Sequence, residues 1–222
     1  MKMRTILIAA AITAVLAPTL SIAKSQTLGR GVHGNARAGA PDGVATSNFI
    51  VDLSGISTDA LCGDAATPGA GSTVVSVNLG KNAVVTGIGG VGSYESFSPS
   101  WRSEVSAIFR GNDPLQSIQL AFSNDDSSGV ANYNIPVIDF TSITPVPLSN
   151  IDTGNAGVLN IELCETFADA DVSPDATFAA GANLQIAYYV PAVPAPAMST
   201  WSMLALLLGF GLVGGLAVRR FS

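Results

Sequence analysis

Val158-Leu159-Asn160-Ile161-Glu162-Leu163-Cys164 sets large aliphatic side chains at every second position, with polar Asn160 and Glu162 between them. A period of two fits an extended strand with one face buried and the other turned outward. It does not fit a helix, whose buried stripe recurs every three or four residues. Residues 183–190 repeat the pattern with Leu184, Ile186, Tyr188 and Val190. Working outward, β-type runs recur at 48–53 (Phe49, Val51, Leu53), 73–79 (Val75, Val77, Leu79), 83–91, 104–109, 117–122 (Ile118, Leu120, Phe122) and 135–140. Pro136 marks the last of these as an edge strand, because proline cannot donate to a ladder on both sides. Clusters of Gly, Asn, Asp and Ser at 111–114, 124–129 and 152–155 supply turns between the runs. About eight strands joined by such turns predict an all-β fold: a single antiparallel β-sandwich, jelly-roll-like, over residues 46–190. Residues 24–45, rich in Gly, Ala and polar groups, are expected to form a flexible N-terminal arm.

All sixteen acidic side chains lie between two strongly apolar ends, where only Lys24, Arg30, Arg37, Lys81, Arg102 and Arg110 oppose them. The central region therefore carries about −10, against −6 for the whole chain. Nucleic acid is not expected as a partner of such a surface. Cys62 and Cys164 both fall within this region. In an oxidising compartment an even cysteine count reads as one disulfide, the alternative being two separate buried thiols. A bridge would close a loop of about 100 residues, which stabilises by roughly 4–5 kcal/mol in the chain-entropy picture.

The two ends read as addresses. Lys2 and Arg4 precede an apolar run from Ile6 to Ala17, Pro18 ends the run, and Ser21-Ile22-Ala23 presents small residues just before Lys24. Charge, a short apolar core and a small-residue exit predict a secretory signal peptide over 1–23, cleaved between Ala23 and Lys24. At the other end a Pro/Ala linker at 191–197 leads into an uncharged segment at 198–218, followed at once by Arg219 and Arg220. A helix of that length reaches about 30 Å and spans a bilayer. The positive-inside bias places the arginines in the cytoplasm and the β domain on the far side of the inner membrane.

Residues 195–222, with a short Pro-containing motif, one apolar span and a basic end, resemble the PEP-CTERM class of bacterial sorting domains. Within that class the stretch is most similar to the IPTL-CTERM variant. Pro196 and Trp201 match in register, Met198 stands for Leu, and Arg219 and Arg220 supply the basic cluster, whereas Ala195, Ala197 and Ser202 depart from the pattern. The resemblance implies export by Sec-type machinery and transient anchoring in the inner membrane. It further implies processing by an exosortase-like enzyme in a Gram-negative organism that makes exopolysaccharide or a related coat, with final residence at the cell surface or in the medium.

Chemistry-bearing groups are sparse. Residues 87–92 satisfy GxGxxG, but Ser93 to Pro99 cannot open the helix that a dinucleotide site requires, so a bent or bulged strand is expected there. His33 is the one histidine and lies in the predicted arm, leaving no fixed base for a catalytic triad and no His-based zinc site. Asp169, Asp171 and Asp175 set carboxylates at alternate positions like the start of a calcium loop. Pro174 and Ala180 replace the turn glycine and bidentate glutamate of an EF-hand. No cofactor is expected beyond calcium on this loop, and solvated turn acids are the alternative. Glu162 and Glu165 are the nearest approach to a glycosidase carboxylate pair. Tyr94, Phe97 and Trp101 form the densest aromatic group, either core or a platform on which a sugar stacks. The resulting expectation is a non-enzymatic exported surface or matrix protein. Its alternatives are a carbohydrate-binding module for exopolysaccharide and a secreted hydrolase working with carboxylates alone.

Overall fold

The computed structural model describes residues 26–28, 45–113, 116–143, 147–167, 169 and 173–192. The predicted signal peptide with Ala23 and Lys24, His33, Asp171, and the predicted sorting signal with Pro196, Met198, Trp201, Arg219 and Arg220 lie outside them. Among the described residues there is no α-helix, and no helix long and apolar enough to cross a membrane.

The strands are β1 (Gln26–Leu28), β2 (Ser47–Asp52), β3 (Ser57–Thr58), β4 (Thr73–Asn78), β5 (Val84–Ser96), β6 (Val105–Arg110), β7 (Ile118–Ala121), β8 (Gly129–Asp139), β9 (Ile151–Asp152), β10 (Val158–Glu165), β11 (Ala176–Phe178) and β12 (Asn183–Tyr189). They form two sheets. One has the order β1-β7-β6-β10-β4; the other has the order β2-β12-β5-β11-β3, with β8 and β9 also paired to β5. Every pairing is antiparallel except β1 with β7. The period-two runs put their apolar side chains between the sheets: Leu159, Ile161 and Leu163 of β10, Val105, Ala107 and Phe109 of β6, and Leu184 and Ile186 of β12 are all fully buried in one continuous core.

Four aromatic rings tie the sheets together at one end. Phe122, just beyond β7, packs edge-on to Tyr133 of β8 and Phe178 of β11 at centroid distances of 4.9 and 5.1 Å, and Tyr94 of β5 lies 5.5 Å from Phe178. The two phenols do not leave polar atoms stranded, since Tyr94 Oη donates to Arg102 O at 2.5 Å and Tyr133 Oη to Asn183 O at 3.1 Å.

β5 is the spine of its sheet, pairing with β12 and β11 along one edge and with β9 and β8 along the other. Its register slips near Thr86 against β12 and near Gly89 against β8. The GxGxxG run is thus a bulged strand, and the glycines are there for close approach. A Cβ on Gly89 would meet Ile135 O at 2.5 Å, and one on Gly90 would meet Asn183 O at 2.5 Å. Pro136 sits in the bulge of β8, which pairs only with β5 and so forms an edge.

Six elements differ from the sequence reading. Residues 26–28 of the predicted arm form the parallel strand β1. β5 continues past the glycine run to Ser96, and β8 begins at Gly129, well before residue 135. In β8 the pattern was blurred because Val130 is 57 % exposed on the solvent face while small Ala131 occupies an inward position. β3, β9 and β11 have two or three residues each, too few for any period to register.

Phe122→Ala is expected to lower the unfolding free energy of the oxidised protein by about 3–5 kcal/mol, because a cavity opens where both sheets meet. Trp101→Ala, at a residue 47 % exposed, is expected to change it by less than about 1 kcal/mol. Denaturant titration of the two variants side by side checks the contrast.

Candidate functional site

Two polar constellations lie on either side of β10. Alternation turns Asn160, Glu162 and Cys164 away from the core. Even so, Glu162 and Cys164 are fully buried, because the segment at 61–72 lies across them. Cys62 is bonded to Cys164 with Cα atoms 4.9 Å apart, and the neighbouring backbone docks beside the strand through Cys62 N to Glu165 O (2.8 Å) and Glu165 N to Ala60 O (2.9 Å).

The Glu162 carboxylate sits at the centre of this loop. Its Oε1 accepts from Gly63 N at 3.0 Å and Gly69 N at 2.6 Å, and Arg110 Nη2 lies 2.6 Å from its Oε2. The same guanidinium donates to Asp64 O through Nε at 3.1 Å and Nη2 at 2.5 Å, and to Thr67 O at 3.3 Å. The winding is tight enough to require glycine: a Cβ at Gly63 would fall 2.0 Å from Thr67 O, and one at Gly69 1.8 Å from Leu61 O. Burial pushes the Glu162 carboxyl up, but the Gly69 and Gly63 amides, the Ser72 hydroxyl and Arg110 together hold it below its ordinary value. This carboxylate stays charged and is committed to its partners.

Glu165, three positions on, points the other way, between the sheets at one end of the sandwich. It is fully buried, as is Asp175 just before β11. Thr58 Oγ1 of β3 donates to Glu165 Oε1, while Glu165 Oε2 and both Asp175 carboxylate oxygens accept no hydrogen bond of normal geometry. The buried Ser100 hydroxyl beside them donates to Asp169 Oδ2 at 3.0 Å. Burial first, then the negative charges of Asp175, Glu104 and Asp169, push the Glu165 carboxyl up to about 8 against the pull of the Thr58 hydroxyl. Asp175 is also raised, by burial and by Asp59 and Asp169, with the Ser100 hydroxyl and the Asp169 backbone opposing. Its atoms are covered, yet it lies only shallowly beneath the surface.

Of the predicted calcium-loop residues, Asp169 and Asp175 come together here, while Asp171 is outside the described residues. Among the described residues, no three carboxylate, thiol or imidazole groups converge to hold a metal ion. The Glu162 and Glu165 pair does not flank a common bond: the two face opposite sides of one strand, and both are fully buried. Tyr94 is 1 % exposed and packs in the core, whereas Phe97 is half-buried and Trp101 is exposed. Tyr94 and Phe97, with Ser93, Glu95, Val130 and residues 177–179, line an open groove of about 290 Å³. Arg110, Thr58 and Ser100 were not singled out from the sequence. For Arg110 the available signal was a lone arginine closing an apolar strand.

Two outcomes follow from these geometries. Arg110→Ala, which strands a buried carboxylate, is expected to cost about 3–5 kcal/mol, whereas the paired change Arg110→Met with Glu162→Leu is expected to recover most of that loss in equilibrium unfolding.

The second concerns pH. The unfolded chain releases the Glu165 proton near 4.5, and the folded domain holds it to about 8. The folded state therefore binds more protons across that window, and the Glu165 contribution to stability falls as pH rises through it. Glu162 acts in the opposite sense: its stabilisation is present above its ordinary value and is lost on acidification. In chelator-treated buffer the wild type is expected to lose on the order of a few kcal/mol between about pH 5 and pH 8. Glu165→Gln is expected to flatten that slope. Identical profiles for the two proteins would show that this carboxyl is not held neutral.

No family model matches the chain, and no curated protein sequence matches it.

Proposed function

We propose that this chain is a non-enzymatic exported protein of the cell surface or extracellular matrix. In this reading it is held briefly in the inner membrane by its C-terminal sorting signal and then processed by an exosortase-like enzyme. The observation that carries the reading is the Cys62–Cys164 bond, which pins a wound loop across the outer face of β10. Such a bond persists in oxidising compartments and not in the reducing cytosol. The acidic central region, the signal-like N-terminus and the basic-capped apolar tail agree with it in direction.

The carbohydrate-binding reading keeps one specific support, the groove lined by Tyr94, Phe97 and Glu95. A ring and a carboxylate in one groove suit the face and hydroxyls of a sugar. The hydrolase reading is weaker, since Glu162 is engaged by Arg110 and Glu165 is closed from solvent.

Intact mass of the native protein from membrane, surface and medium fractions tests the leading reading. A product beginning at Lys24, lacking the tail and carrying two fewer hydrogens than the dithiol form is expected outside the cytoplasm. A full-length soluble cytosolic product with free thiols would refute export. Polysaccharide binding lost on Phe97→Ala would move the weight to the second reading.

A further inference from the structure

We infer that the Glu165–Asp175 end of the sandwich binds a Ca²⁺ ion, held by these two buried carboxylates with the Thr58 and Ser100 hydroxyls and water completing the shell. This goes beyond the export reading and does not depend on where the protein resides.

Glu165 and Asp175 are both fully buried and face each other's field together with Asp169. Only three basic side chains occur among the described residues, and none is available to them. Arg110 is committed to Glu162, and Arg102 lies 2.8 Å from Asp125 and donates to Ser127 and Val130. Lys81 follows β4 and precedes β5, whereas the acidic cluster lies by the far end of β5, where Phe97 N donates to Asp175 O at 2.8 Å. Glu165 Oε2, Asp175 Oδ1 and Asp175 Oδ2 are enclosed by protein yet accept no hydrogen bond of normal geometry, although the Ser100 hydroxyl and the Asp169 backbone pull the Asp175 carboxyl down. Buried polar atoms are paired in the great majority of proteins, and an orphaned set in one place points to a ligand. Protonation can quiet one oxygen of such a pair; it does not supply a partner to three.

The donor chemistry selects the ligand. Carboxylate and hydroxyl oxygens, with no imidazole or thiolate in the cluster, suit a hard cation and not zinc or copper. Ca²⁺ accepts six to eight oxygens in irregular geometry and tolerates hydroxyl and water ligands, whereas Mg²⁺ demands a small near-octahedral shell. Two carboxylates give a modest ligand charge, which places the affinity at roughly 10⁻⁴–10⁻³ M, in the range of extracellular modules.

The test uses the full oxidised chain in detergent at constant pH, stripped with chelator and titrated with CaCl₂. A saturable rise in melting temperature of about 5 °C by about 10 mM Ca²⁺ is expected, with a smaller shift from MgCl₂. Glu165→Gln and Asp175→Asn are each expected to abolish the shift, while Asp152→Asn, beside the opposite end of β5, keeps it. Terbium supplies a readout that needs no variant: Trp101 adjoins Ser100 in the chain, so bound Tb³⁺ is expected to show sensitised emission that Ca²⁺ displaces. Absence of both a thermal shift and displaceable emission would overturn the inference. So would equal shifts from Ca²⁺ and Mg²⁺, or a shift of the same size in wild type and both carboxylate variants, which would mark general screening of an acidic surface.

Discussion

A carboxylate buried on the outer face of a sheet is the constraint around which half of this domain is arranged. Glu162 has no access to water, so its charge must be met by protein groups, and removing an ion from water costs several kcal/mol before any partner is found. Two glycine amides and one guanidinium meet it. To place those amides, the segment at 61–72 must wind so tightly that Gly63 and Gly69 exclude any side chain. The Cys62–Cys164 bond then fixes the start of the loop to the same strand. The loop in turn covers Ser106 and Ile108 on β6, so a sheet face that would otherwise meet solvent becomes a second interior.

The contrast between Glu162 and Glu165 follows from strand geometry alone. Three residues apart, they emerge on opposite sides of β10. One finds a dense set of donors and stays ionised below its ordinary pKa. The other emerges between the sheets, where among the described residues its carboxyl takes one hydrogen bond, from Thr58, and like charges surround it, and it is held neutral up to about pH 8. The same residue type on the same strand thus serves as a charged structural anchor at one position and as a buried acid without a countercharge at another.

The middle of the other sheet is built from small residues instead. Along β5 the glycines let Ile135 and Asn183 carbonyls come within a distance that any Cβ would block. The strand can therefore slip register twice and still serve two edges. The aromatic quartet sits beyond the glycine run: Tyr94 follows Gly92 by two residues, and its ring reaches Phe178 and Tyr133. Pro136 closes the far side by keeping β8 an edge.

The alternation at 158–164 and 183–190 was enough by itself to determine strands and an all-β fold, because a two-residue period with large aliphatics has one physical solution. The cysteine count likewise pointed to one bond, and the poor helix potential after Gly92 to a bent strand. The short strands β3, β9 and β11 were not legible, since they exist only through their neighbours' hydrogen bonds and carry no pattern of their own. Nor was the difference between Glu162 and Glu165, or the pairing of Arg110 across to residue 162, because the fate of a charge depends on which atoms surround it. Local periodicity is a property of the chain and survives in the sequence. Burial, donor supply and the meeting of Asp175 with Glu165 arise only when segments far apart in the chain are brought to one place, and the tertiary structure alone decides them.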